Sequence, residues 1–160
     1  MESARLATAP DLEMVAELVA EGVAEQADSR GGAIWSRRET RHRPYLASLE
    51  ALMSDSDQEL WVGLIDETVV GYAAVRVEVL TDGELLGVVE DLYVDMGTRE
   101  VGVGEALIAE AIAWCERRNC VGVDVLALPG NRATKNFFEG SGFKARLLTL
   151  HHSFEQPPTR

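Results

Sequence analysis

Val94-Asp95-Met96-Gly97-Thr98-Arg99-Glu100-Val101-Gly102-Val103-Gly104 divides the chain into two regimes of hydrophobic periodicity. Before it, residues 59–65, 69–80 and 85–94 read as three consecutive strands. Asp66-Glu67 and Asp82-Gly83 supply the turns of an antiparallel meander. After it, Val103, Leu107, Ala111 and Trp114 recur at helical spacing, with Ile108 and Ile112 beside them, which predicts a helix of about four turns. The quoted segment is therefore a strand-to-helix turn. The first amides of a helix have no internal partner, and the helix dipole places partial positive charge there. A diphosphate can dock on such amides where no side chain intervenes. Gly102 and Gly104 remove the intervening side chains and permit backbone angles that other residues avoid.

Working outward, residues 3–9 read as a short strand, and Pro10-Asp11 opens a helix whose stripe is Leu12, Val15, Val19 and Val23. Gly31-Gly32 marks a loop. A second helix is predicted over 38–53, its regular part delayed by Pro44. Gly71 is placed at a bulge in the second meander strand. Beyond the long helix, 121–128 is a buried-type strand ended by Pro129-Gly130. Residues 131–139 form a short helix stopped by Gly140 and Gly142, and 143–154 form a last strand. The expectation is one α+β domain over 1–154, an αβα sandwich. Its twisted, mixed, mostly antiparallel sheet has about six to seven strands, with about four helices, in the order β-α-α-β-β-β-α-β-α-β. Residues 155–160 are expected to be a flexible C-terminal tail.

Composition narrows the function classes. With 46% hydrophobic and 26% charged residues in 160, the chain suits one globular core. No apolar run approaches the roughly 20 residues that span a bilayer, and no apolar signal core follows the N-terminus, so a cytoplasmic location without membrane attachment is expected. A net charge of −12 disfavours nucleic acid as a partner and mildly favours a cationic substrate. Against that trend, Arg30, Arg37, Arg38, Arg41 and Arg43 cluster in fourteen positions, as a solvated helix start or an anion site. Cys115 and Cys120 have no further metal-ligating neighbours, so inert thiols and no metal are expected.

Two competing phosphate motifs fail at the turn. The dinucleotide fingerprint needs Gly or Ala where Leu107 stands, and it follows a βαβ unit rather than a meander. The P-loop needs Gly-Lys-Ser/Thr, but Glu105-Ala106 follows Gly104. Arg99-x-x-Gly102-x-Gly104 instead resembles the central motif of the GNAT superfamily of acyl-CoA-dependent N-acyltransferases. The preceding Asp91-Leu92-Tyr93-Val94-Asp95 is similar to that family's strand. Asn131, Phe137-Phe138 and Gly142-Phe143 match its C-terminal pattern, and the element order agrees across nearly the whole chain.

The resemblance implies that acetyl-CoA is the co-substrate. Its pantetheine would lie along Leu92, Tyr93 and Val94. Its pyrophosphate would sit on the amides of Arg99, Glu100, Val101, Gly102, Val103 and Gly104, with Asn131 near the pantetheine arm and Phe138 against the cofactor or in the core. Many members carry Gly and a basic residue where Glu100 and Val101 stand, which implies modest cofactor affinity here. The implied reaction is direct acetyl transfer, in a ternary complex, to a primary amine of a small molecule or peptide. An acyl-CoA-binding regulatory module with little turnover is the alternative.

A reactive amine must lose a proton, because an alkylamine with a pKa of about 10.4 is mostly ammonium at neutral pH. Glu90, two residues before Leu92, is the candidate base, with Asp91 behind it. Strand alternation places Glu90 on the face of Leu92 and Val94, opposite Asp91 and Tyr93. The family's usual acid is a Tyr in the aromatic pair, and here that position is Phe138, which has no proton to give. His151 and His152 read as structural. Trp35 and Tyr45 are candidate substrate walls. The acidic surface points to a polyamine, amino sugar or peptide amine, whereas the arginine cluster points to a substrate with a carboxylate. A homodimer through the last strand or the sheet face is a further expectation.

Overall fold

A computed structural model of the chain describes residues 1–154. Its sheet has five strands in sequential order: β1 (Glu2–Leu6), β2 (Gln58–Ile65), β3 (Thr68–Val79), β4 (Leu85–Val94) and β5 (Cys120–Val125). The first four pair antiparallel, and β5 joins β4 in parallel. Five α-helices accompany them: α1 (Leu12–Ala27), α2 (Gly32–Arg38), α3 (Tyr45–Met53), α4 (Val103–Arg117) and α5 (Arg132–Gly140). The α+β sandwich with a mostly antiparallel mixed sheet is as expected from the sequence.

Alternation along the strands builds two cores. Leu60, Val62, Leu64, Tyr72 and Ala74 meet Val15, Leu18 and Val19 of α1 and Leu49 and Leu52 of α3. On the other face Trp61, Ala73, Val75 and Val89 meet Val103, Leu107, Ile108, Ala111 and Trp114 of α4. The α4 stripe is the one read from its periodicity, and the helix begins at Val103.

Three expectations are corrected. The helix placed over 38–53 begins only at Tyr45, later than 38 as Pro44 suggests, and a separate helix, α2, occupies Gly32–Arg38, where the sequence reads as a loop. Pro44 has extended backbone angles and stands as the cap before Tyr45, so the chain between Glu39 and Pro44 leaves helical geometry. The β3 bulge falls at Val70 rather than Gly71, since Gly63 pairs with Gly71 but Leu64 pairs with Val69. Residues 143–154 form no strand, so among the described residues the sheet has five strands rather than six or seven. Apolar alternation specifies the faces of a strand but supplies no partner edge, and a strand needs both. Residues 155–160, expected to be a flexible tail, lie outside the described residues.

Candidate active site

Strand β4 is paired with β3 over its whole length but with β5 only from Leu85 to Val89. The register of β3 and β4 slips between Ala74↔Asp91 and Val75↔Val89, leaving Glu90 as the extra residue. A bulge bends and twists the strand that carries it. The last pairing with β5 is Val89↔Val125, immediately before that bend, so residues 90–94 diverge from β5. A cavity of about 350 Å³ fills the divergence, within the range of small-molecule sites.

The backbone at this open edge has a defined polarity. Asp95 N donates to Val70 O on β3 at 2.8 Å. Successive residues of a strand present their backbone groups to opposite edges. The groups of Tyr93 therefore face β3, and those of Leu92 and Val94 face the cavity. The carbonyl of Val94 accepts from Arg99 Nε at 2.9 Å.

The turn after β4 is held by its own polar groups. Asp95 accepts from the amide of Gly97, and Thr98 Oγ1 donates to Asp95 O. Glu100 has φ +68° and Gly102 φ +104°, the latter at the N-cap of α4. Among the described residues, no side chain caps α4. The amides of Val103, Gly104 and Glu105 precede the first intrahelical bond, Ala106 N to Gly102 O at 3.0 Å. A Cβ on Gly104 would stand 3.1 Å from the Phe137 ring, so this glycine lets α5 close over the start of α4.

Arg99 is a clamp. Its Nη1 and Nη2 donate to the two carboxylate oxygens of Glu25 on α1 at 2.9 and 2.7 Å, and its guanidinium lies over the Tyr93 ring. The hydrogen bonds from Arg99 to Glu25 raise its pKa despite partial burial. Asn131 caps α5 by accepting from Thr134 N at 3.0 Å, and its Nδ2 donates to Gln26 Oε1 of α1 at 3.1 Å. Phe138 is 5% exposed and packs edge-on against Phe137 and Phe143.

The bulge changes where Glu90 points. Alternation alone sets it beside Leu92 and Val94, on the α4 face. As the extra residue it sits with Asp91 instead, toward α1 and the loop before α3. Glu90 Oε1 accepts from Arg76 Nε at 2.8 Å and Oε2 from Arg41 Nη2 at 3.2 Å. Asp91 accepts from Arg41 Nε and Nη2, at 3.1 and 2.8 Å, and from the Tyr72 hydroxyl at 2.9 Å. Arg41 also donates to Ser48 Oγ. Burial opposes the charge on Arg41, but Asp91 and Glu90 outweigh it and hold the pKa above its usual value. Burial, then Asp91, pushes the Tyr72 hydroxyl well above 10.

Of the residues singled out from sequence, Glu90, Leu92, Tyr93, Val94, Arg99, Glu100, Val103, Gly104, Asn131, Phe138 and Trp35 border the cavity. Val101 and Gly102 do not; Val101 is 48% exposed. Tyr45 lies elsewhere, packed on the α1–α3 core with its hydroxyl accepting from Arg43 Nε. Sequence reasoning missed Arg41, Tyr72 and Gln26 as cavity residues. The arginine cluster was the only signal toward Arg41, and it suggested a free anion site, whereas two carboxylates occupy this guanidinium.

The cavity wraps the open edge of β4. Its lining comes from α4, α5 and the turn after β4, and from α1, Trp35 of α2 and the following Glu39 and Arg41.

The family model described as the Acetyltransferase (GNAT) family matches residues 24–143. No curated protein matches the chain. Among solved structures, a transcriptional regulator from Bacillus halodurans C-125 shares 24% identity at a TM-score of 0.72, covering 96% of this chain and 100% of that one. An acetyltransferase from Trypanosoma brucei shares 20% identity at a TM-score of 0.69, covering 96% and 100%. An aminoglycoside acetyltransferase from an uncultured soil metagenomic sample, in complex with sisomicin, shares 18% identity at a TM-score of 0.71, covering 98% and 97%. These similarities concern the fold.

Proposed function

The chain belongs to the GNAT acetyltransferase family, whose co-substrate is acetyl-CoA, and from that premise we propose that it acetylates the primary amine of a small molecule or peptide by direct attack in a ternary complex. The observation that carries this reading is the open edge of β4, where the backbone of Leu92 and Val94 borders a cavity that ends on the uncapped amides of α4. Acetyl-CoA supplies an activated thioester. The amides of Val103 and Gly104, with the backbone of Arg99 and Glu100 beside them, suit its pyrophosphate, and the outward amides of Leu92 and Val94 suit its pantetheine and the oxygen that gains charge on attack. Asn131 and Phe138 border the same cavity.

Glu90 is the proposed base, acting directly or through water. Asp91 already accepts three hydrogen bonds and Glu90 two, so Glu90 keeps more free acceptor capacity. Phe138 supplies no acid. A thiol pKa of about 8.5, the free-cysteine value, lets thiolate depart without a dedicated donor. The cavity, with Trp35 at its wall, holds Glu39, Glu90 and Asp91 against Arg41. Glu39 and Glu90 also pair with Arg38 and Arg76, so the preference for a cationic amine over a substrate recognised by its carboxylate rests on the chain's net charge of −12.

Thiol release from acetyl-CoA with a panel of amines tests the reading. Release above background, higher for cationic amines than for amino acids, is expected. Thermal stabilisation by acetyl-CoA with no release would make the chain an acyl-CoA-binding module instead. Stabilisation by ATP but not CoA would refute the cofactor assignment. Glu90→Gln should lower kcat and flatten the acid limb of the pH–rate profile, with CoA affinity kept. An unchanged profile would remove Glu90 from the mechanism.

A further inference from the structure

Helix α1 meets strand β4 where a side chain is missing. Val15, Leu18 and Val19 seat the helix in the core, and its buried stripe continues at Gly22. A Cβ on Gly22 would stand 3.0 and 3.2 Å from atoms of the Tyr93 ring, so the helix backbone lies directly on that ring. One turn further, Glu25 takes the Arg99 guanidinium with both carboxylate oxygens. Arg99 Nε holds Val94 O at the end of β4, so this one side chain ties α1 to the strand and to the turn that follows it. The next residue of α1, Gln26, accepts from Asn131 at the start of α5. The last turn of α1 thus reaches both elements that border the start of α4.

We propose, resting on the cofactor reading above, that Glu25 is a positioning residue for CoA: through Arg99 it fixes the turn before α4 in its binding shape. The turn carries strain that needs anchors. Glu100 has φ +68°, a conformation that side chains rarely adopt, and Gly102 has φ +104°. Such backbone persists where its surroundings over-determine it. Val103, buried in the α4 core, anchors the far end. Arg99 anchors the near end, and its bidentate geometry lifts the pair above an ordinary surface contact. Charge is not how Glu25 helps. A carboxylate lining the same cavity repels a phosphate, and a guanidinium paired with it attracts one less. Attraction alone therefore predicts tighter CoA binding once Glu25 is removed, whereas anchoring predicts weaker binding. Solvent reaches both side chains and screens the repulsion. The aim of the backbone amides depends on the shape of the turn, so anchoring sets the sign.

Calorimetric titration of CoA into the wild type, Glu25→Ala, Arg99→Ala and the double variant tests this. Glu25→Ala should raise the Kd about tenfold in the wild type, a coupling usual within one network. It should not raise the Kd in the Arg99→Ala background, where the tether is already cut. Glu25→Gln keeps one carbonyl oxygen for Arg99 and should fall between the wild type and Glu25→Ala; it carries the test if the alanine variant does not fold. An unchanged or lower Kd for Glu25→Ala or Glu25→Gln would overturn the proposal. So would an equal loss in the Arg99→Ala background, the result of a general loss of packing. A wild type that binds no CoA would remove the cofactor reading and the proposal together, whereas a binding wild type with indifferent Glu25 variants removes the proposal alone.

Discussion

Arg41→Leu probes the buried charge cluster behind the β4 bulge. The Arg41 side chain is 6% exposed, whereas Asp91 and Glu90 are 20% and 30% exposed. Removing the guanidinium takes four hydrogen bonds: two to Asp91, one to Glu90 and one to Ser48. Among the described residues, Glu90 keeps Arg76, but Asp91 keeps only the hydroxyl of Tyr72. The cost is thus an uncompensated, mostly buried carboxylate at Asp91. Breaking a buried pair this way costs about 3–5 kcal/mol. Residual exposure of Asp91 sets the expectation at the low end, about 3 kcal/mol. For a domain of this size that lowers Tm by about 6–12 °C. Asp91→Asn removes the stranded charge and still accepts from Tyr72. Combined with Arg41→Leu it should recover about 1–2 kcal/mol, a coupling expected of residues in one network. Urea unfolding of the wild type, both single variants and the double variant at pH 7 measures it. A loss under about 1 kcal/mol for Arg41→Leu, the range of an exposed ion pair, would refute the reasoning. So would strict additivity of the two substitutions.

Gly63→Ala would set a Cβ 2.5 Å from Val103 Cγ1 and 3.1 Å from Leu107. It should cost about 1–3 kcal/mol by overpacking and weaken CoA binding by displacing the start of α4, read by thermal melts with and without CoA. Asp11 is held at a pKa of about 2, first by its hydrogen bonds from Arg5 and then, against burial, by Thr8. Because the folded value lies below the unfolded one, its contribution is complete above about pH 4 and is lost as pH falls through about 2. Asp11→Asn should lower stability at pH 7 and leave a shallower loss below pH 4, measured by urea midpoints against pH. Burial, then Cys120, pushes the Cys115 thiol up to about 12. Iodoacetamide at pH 8 should leave Cys115 unmodified until the chain unfolds, as peptide mass mapping can show.

Much of this protein was legible as sequence because the features are local. Val103, Leu107, Ala111 and Trp114 set the buried stripe of α4 through a fixed period. The meander and the glycine-bearing turn follow from alternation and turn chemistry, and the turn's uncapped amides follow from where α4 begins. Other features depend on which segments meet. The bulge at Glu90 is a slip in register between two strands, and no periodicity within β4 records it, yet it reverses the face on which Glu90 lies. Arg41 reads as one more surface arginine until the loop before α3 closes on β4 and gives it Asp91 and Glu90. Residues 143–154 have the alternation of a strand, but a ladder needs a free edge in reach, and only the tertiary arrangement decides where that edge is. Sequence determined the elements and the backbone chemistry of the turn. Tertiary structure decided which charged side chains neutralise one another and which way the candidate base points, because burial and register depend on residues far apart in the chain.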